Sequence, residues 1–125
     1  MAAIHMKRDM ELVRAILLAM EAHAAGFAPD PFTIRGYDQE TIQHHVWLME
    51  QGGLVTASDV TVQGDASPVA LPGSLTWAGH DFLDTVRNDK VWRKVKAELK
   101  DRGISLPFSL LQALALKIAA ALVGL

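Results

Sequence analysis

Gly52-Gly53 constrains this chain more than any other feature, because the hydrophobic period changes on either side of it. Before it, in "TIQHHVWLMEQ", Ile42, His45, Val46 and Met49 recur at three- and four-residue steps, the mark of a helix with one buried stripe. After it, "LVTASDVTV" is rich in β-branched residues. About 20 residues further on, "LTWAGHDFL" alternates like a strand and then regains helical spacing. Two helices therefore bracket an extended stretch too long for one strand, and residues 54–77 are expected to fold back as a β-hairpin with an irregular tip. Pro72-Gly73 reads as a turn signal within it.

The flanks follow the same rules. Met10, Val13, Ile16, Leu17 and Met20 predict a helix over residues 6–24, stopped by Gly26. A turn at "FAPDP" leads to "FTIR" (residues 32–35), which alternates enough for a short strand. Asp38 is placed to cap the helix that ends at Gly52. Beyond the hairpin, Phe82, Leu83 and Val86 face inward. A break at Asn88-Asp89 separates them from a second stripe, Val91, Trp92, Val95 and Leu99, closed by Gly103. The last segment, "SLPFSLLQALALKIAAALVGL", is a helix whose apolar residues run round most of its circumference. It could serve as a core helix, a subunit interface or a membrane contact. Pro107, Lys117 and its marginal length weigh against spanning, and an interface is the favoured reading.

The predicted fold class is thus mainly α with a small β-hairpin (α+β). Helix, short strand, helix, hairpin, helix is the order of a winged-helix domain, here with an added apolar C-terminal helix. The helix-turn-helix is abbreviated, since no helix fits between Arg35 and Asp38. The expected organisation is an extension at residues 1–5 to which no function is given, a winged-helix-like domain over residues 6–103, and an oligomerisation helix over residues 104–125.

Several stretches together, "MKRDMELVRAILL", "HHVWLMEQGGL", "LTWAGHDFLD", "RNDKVWRKVK" and "SLPFSLLQALALK", resemble a family of small bacterial and prophage proteins catalogued as a domain of unknown function. The resemblance implies a winged-helix-like protein and brings no catalytic residues with it. Its members often carry a basic residue just before "LTW", where this chain has Ser74. That substitution argues against a phosphate contact from the hairpin.

Charge sharpens the functional reading. Residues 1–77 hold four basic and nine acidic side chains, a net of −5, whereas residues 78–125 hold eight and five, a net of +3. Positive potential therefore gathers between Lys90 and Arg102. If DNA is the partner, the candidate contacts are Gln39, Gln43 and His44 on the second helix, with Arg93, Lys94, Lys96 and Lys100 on phosphates. The hairpin has no Lys or Arg to help them.

His80 and Asp84 share a helix face at i,i+4, yet two ligands are too few for a metal site. Their expected role, with Asp81, is to start a helix, the acids lying in its first turn and His80 bonding to the hairpin. His44 and His45 point about 100° apart on a helix and do not chelate one ion. His45 is read as buried and His44 as exposed. Trp77 is read as core, and Trp47 as packing under the hairpin or facing a partner.

No cofactor, metal or catalytic motif is expected. The absence of cysteine and of a secretory signal suits the cytoplasm. The sequence reads as a non-enzymatic regulatory or adaptor protein that contacts another protein and self-associates, with Leu110, Leu111, Leu114, Ile118 and Leu122 as the candidate interface. The alternative is a DNA-binding transcriptional regulator, and a weaker third is a membrane-active effector.

Overall fold

The computed structural model of the chain describes residues 7–23 and 32–125. Among the described residues it forms five helices and one two-stranded antiparallel sheet, an α+β arrangement in which helix dominates. The chain divides into two compact units, Met1–His80 and Asp81–Leu125.

The first unit is built on α1 (Met10–Ala22), α2 (Gln39–Gln51) and the hairpin of β1 (Val55–Asp59) and β2 (Ala70–Leu75). α1 starts later than its periodicity suggests. Asp9 is extended, and its carboxylate accepts from the amides of Glu11 at 2.9 Å and Leu12 at 3.3 Å, which ends the helix there. Leu12, Val13, Ile16, Leu17 and Met20 form the buried stripe. The Gly26 stop and the turn at residues 27–31 lie outside the described residues.

"FTIR" is not a strand. A strand needs a neighbouring ladder, and the backbone here is committed elsewhere. The Phe32 carbonyl accepts from Gln39 Nε2 at 2.9 Å, and the Tyr37 amide closes a turn onto the Ile34 carbonyl at 3.3 Å.

α2 is capped by Asp38, which accepts from the Thr41 amide at 2.8 Å. Its C-terminus gives Gly52-Gly53 a structural meaning. Gly53 is left-handed (φ 77°), its amide bonds to the Glu50 carbonyl, and the Leu54 amide returns to the Met49 carbonyl at 2.9 Å. This doubly bonded stop is a Schellman motif, and Leu54 and Met49, the two positions whose side chains often meet in it, are both buried.

The hairpin pairs Val55 with Leu75, Ala57 with Pro72 and Asp59 with Ala70, and its register slips between Val55 and Ala57. Pro72 and Gly73 sit inside β2 at this irregularity and make no turn. Proline is tolerated at a bulge because the ladder is interrupted there. Gly73 lets Thr56 Oγ1 close in and accept from the Ser74 amide at 2.9 Å. α1 touches α2 and β2, and α2 touches both strands, so the unit's core lies between the helices and the hairpin.

α3 (Trp77–Val86) begins at the end of the first unit and continues into the second, which also holds α4 (Asp89–Arg102) and α5 (Phe108–Leu122). Asn88 is the predicted break. It caps α4 by accepting from the amides of Lys90 at 2.8 Å and Val91 at 3.2 Å. Gly103 ends α4 in the left-handed region (φ 63°). Val91, Trp92 and Val95 are buried on α4, and Leu111 and Ala115 on α5. The rings of Phe82 and Phe108 lie 4.7 Å apart.

Candidate functional site

The "LTWAG" junction is a structural clasp. Thr76 Oγ1 accepts from the Gly79 amide at 3.0 Å and donates to the Gly53 carbonyl, while the Thr76 amide bonds to the Leu54 carbonyl at 3.0 Å. Gly79 is there because a Cβ would overlap the Leu54 carbonyl oxygen. The helix begins at Trp77, one residue before its expected start, and this changes several side-chain assignments.

Trp77 is 84% exposed and is not core. At 100° per residue it stands opposite the buried face of Gly79, Phe82, Leu83 and Val86. Asp81 and Asp84 fall beyond the first turn, so Thr76 caps the helix and the acids do not. Asp84 instead holds Arg87 at 2.9 Å. His80 is exposed, and its tie to the preceding segment runs through its backbone amide to Thr76 at 3.0 Å. Among the described residues no group of three or more His, Asp or Glu side chains converges as for a metal ion.

On α2 two of the candidate readers are already engaged. Gln39 braces the Phe32 carbonyl, and His44 is half-buried, stacked on Trp47 with centroids 5.9 Å apart and set edge-on to His45 at 6.0 Å. His44 is therefore less open than its position beside the stripe suggests. Gln43 is half-buried too. Glu40, on the same helix, accepts from Ser67 Oγ of the hairpin tip at 3.2 Å.

His45 carries the arrangement least visible in the sequence. It is 1% exposed, and its Nε2 accepts from the Asp9 amide at 2.9 Å. An acceptor nitrogen carries no proton, so Nδ1 must be the protonated one, and it lies 2.9 Å from the Thr41 carbonyl. The ring is a neutral Nδ1–H tautomer joining the start of α1 to α2. Tyr37 completes the knot by donating to Asp9 Oδ2 at 3.1 Å. Burial and the neighbouring Asp9 hold the Tyr37 hydroxyl's pKa above its ordinary value. Hydrogen bonds from Thr41 hold the exposed Asp38 carboxyl below its usual range, and those from Thr61 do the same for Asp59.

The basic run on α4 resolves into two faces. Arg93, Lys96 and Lys100 lie within about 60° of one another and form one exposed stripe. Lys96 Nζ stands 5.9 Å from the Trp92 ring centroid. Lys94 is turned about 100° or more away from all three. It lines a groove of ≈ 330 Å³ with Ala97, Glu98 and Asp101 of α4 and Ile118 and Ala121 of α5. A second hollow, between Leu99 and Arg102 on one side and Leu114 on the other, continues it beyond Glu98.

The candidate interface on α5 also divides. Leu111 is 1% exposed and belongs to the chain's own core. Leu114 and Ile118 are half-buried beside the groove. Leu110 is 54% and Leu116 52% exposed, and Leu122, Val123 and Leu125 are exposed as well. No helix among the described residues is long and apolar enough to cross a membrane.

These features define a small, mainly helical α+β protein with a capped hairpin clasp, a basic stripe and an apolar C-terminal helix. Residues 7–105 match the family described as Hypothetical protein (DUF2513), and the chain belongs to that family. It is 36% identical over 113 residues to a protein of Haemophilus influenzae described as an uncharacterized protein, covering 88% of this chain and 92% of that one. No solved structure matches the chain.

Proposed function

We propose that this is a non-enzymatic, cytoplasmic binding protein of bacterial or prophage type, a regulatory or adaptor module that works through protein contacts and self-association. The observation that carries the reading is α5. It keeps only Leu111 and Ala115 fully buried, while Leu110, Leu116 and Leu122 stand open to water. Large apolar side chains gathered on one exposed helix are characteristic of a surface that meets another protein.

The test separates the exposed Leu110 from the core. Leu110→Asp leaves the buried stripe untouched, so the variant should keep its helical circular dichroism and lose assembly in light scattering, because a charge would have to be desolvated in the contact. Leu111→Asp, which strikes the core, should unfold the chain. An L110D protein that assembles like the unmodified chain overturns the reading.

One observation favours DNA binding as a second reading, namely the exposed stripe of Arg93, Lys96 and Lys100, together with the winged-helix order of α2, hairpin and α3. Against it stand a hairpin without Lys or Arg and a second helix whose Gln39 is turned to its own chain. A gel-shift assay with mixed genomic fragments decides between them. Salt-sensitive shifts lost on reversing the stripe support DNA.

A further inference from the structure

We infer that the groove between α4 and α5 receives α5 of a second copy of this chain, so that two helical hairpins close on each other reciprocally through Lys117 of each copy and Asp101 of the other. The inference rests on the self-association proposed above and gives it a surface.

The spacing on α5 is the first support. Leu110, Leu114, Lys117 and Ala121 recur at steps of four, three and four and lie within about 60° of one another, the spacing of a coiled-coil seam. A lysine at one core position of such a seam fixes register and partner number at some cost in stability. Lys117 is also the single charged residue of α5. An exposed cation in the middle of an apolar seam calls for an anion on whatever covers it.

The groove beside the seam supplies that anion. Its floor of Ala97, Ile118 and Ala121 keeps two small side chains where an incoming helix would lie, and packed helix axes need to approach to about 8–10 Å. Of its two carboxylates, Glu98 is taken by Arg102 at 3.3 Å. Asp101 has no ion pair among the described residues, and neither has Lys117. Asp101 in the groove and Lys117 on the seam, both on the same chain, make the surface self-complementary at that point, as a twofold contact requires, while the groove's own cation, Lys94, stands about two helical turns away from Asp101 along α4.

Reciprocity gives a test that no other occupant passes. In Lys117→Glu every such contact sets the introduced carboxylate against Asp101, and in Asp101→Lys every contact sets two ammonium groups together. Each variant alone should dimerise on the order of tenfold more weakly than the unmodified chain in sedimentation equilibrium. Mixed in equal amounts, the two should recover the unmodified affinity as a heterodimer, because one contact then joins the original Lys117 to the original Asp101 and the other joins the introduced carboxylate at position 117 to the introduced ammonium at position 101, so both pairs are again of opposite sign. Both substitutions lie outside the buried core, so circular dichroism should be unchanged.

If the unmodified chain assembles but the single variants do so equally well, or the mixture gains nothing, the groove assignment is overturned while self-association stands. If the unmodified chain is a monomer, the proposed function fails and this inference with it.

Discussion

Replacing His45 with leucine removes one hydrogen-bond acceptor from a place no solvent reaches, and the cost can be worked out group by group. The Thr41 carbonyl keeps its helical amide partner in α2, so it is not orphaned. The Asp9 amide is. Its partner is His45 Nε2 at 2.9 Å, and a leucine side chain offers nothing in exchange. A buried donor left unmade costs about 1–3 kcal/mol; the Asp9 bond is part-buried, so its loss falls toward the lower end of that range, and an apolar side chain of similar volume adds little further penalty. A chain of this size has about 5–15 kcal/mol of stability in total, so the variant should fold but denature earlier. With a urea slope of about 1–3 kcal/mol/M, the midpoint should fall by roughly 1 M.

His45→Gln, which restores an acceptor oxygen, should recover part of the loss. Urea denaturation followed by circular dichroism gives the magnitude, and amide exchange at Asp9 localises it. Nitrogen shifts of the His45 ring should show the proton on Nδ1. An H45L protein as stable as the unmodified chain, or a ring protonated on Nε2, would refute the reasoning.

Gly79→Ala pushes a methyl group into the Leu54 carbonyl and should cost about 1–3 kcal/mol in the same denaturation assay. Because the Asp38 carboxyl is held below its ordinary value of 3.8, its contribution to stability is fully present above that value and is lost as pH falls through the lowered one. Tyr37 has the opposite sign. Its raised value makes its contribution complete below 10.0 and lost as pH rises past the folded value, so a pH series of melting curves should weaken at both ends. For any DNA binding, charge reversal of Arg93, Lys96 and Lys100 should abolish salt-dependent shifts, whereas reversal of Lys94, on the other face, should leave most of the affinity.

What the sequence made legible was local. Asp38, Gly52-Gly53, Asn88 and Gly103 bond within a few residues of themselves, so residue type and spacing suffice to place them. The buried stripe through His45 follows from helical period alone. "FTIR" misleads because alternation says only that a segment would suit a sheet, and whether a ladder reaches it is decided by residues far away.

Trp77 misleads through phase. Starting α3 one residue earlier turns that side chain from the inner face to the outer, and the shift is set by Thr76 and Gly79 meeting residues 53 and 54. The bond from Asp9 to His45 spans 36 positions and has no sequence signature. On α5 the apolar residues surround the helix, so nothing in their pattern separates buried Leu111 from exposed Leu110. That helix offers no polar face from which to read its orientation.

Self-association through α5 is the claim on which the functional account turns, and sedimentation of the unmodified chain over a concentration series tests it most directly. The account predicts a mass that rises from one 13.6 kDa chain to a multiple of it as concentration passes through the micromolar range. A soluble species that keeps the mass of a single chain across the whole series would contradict it.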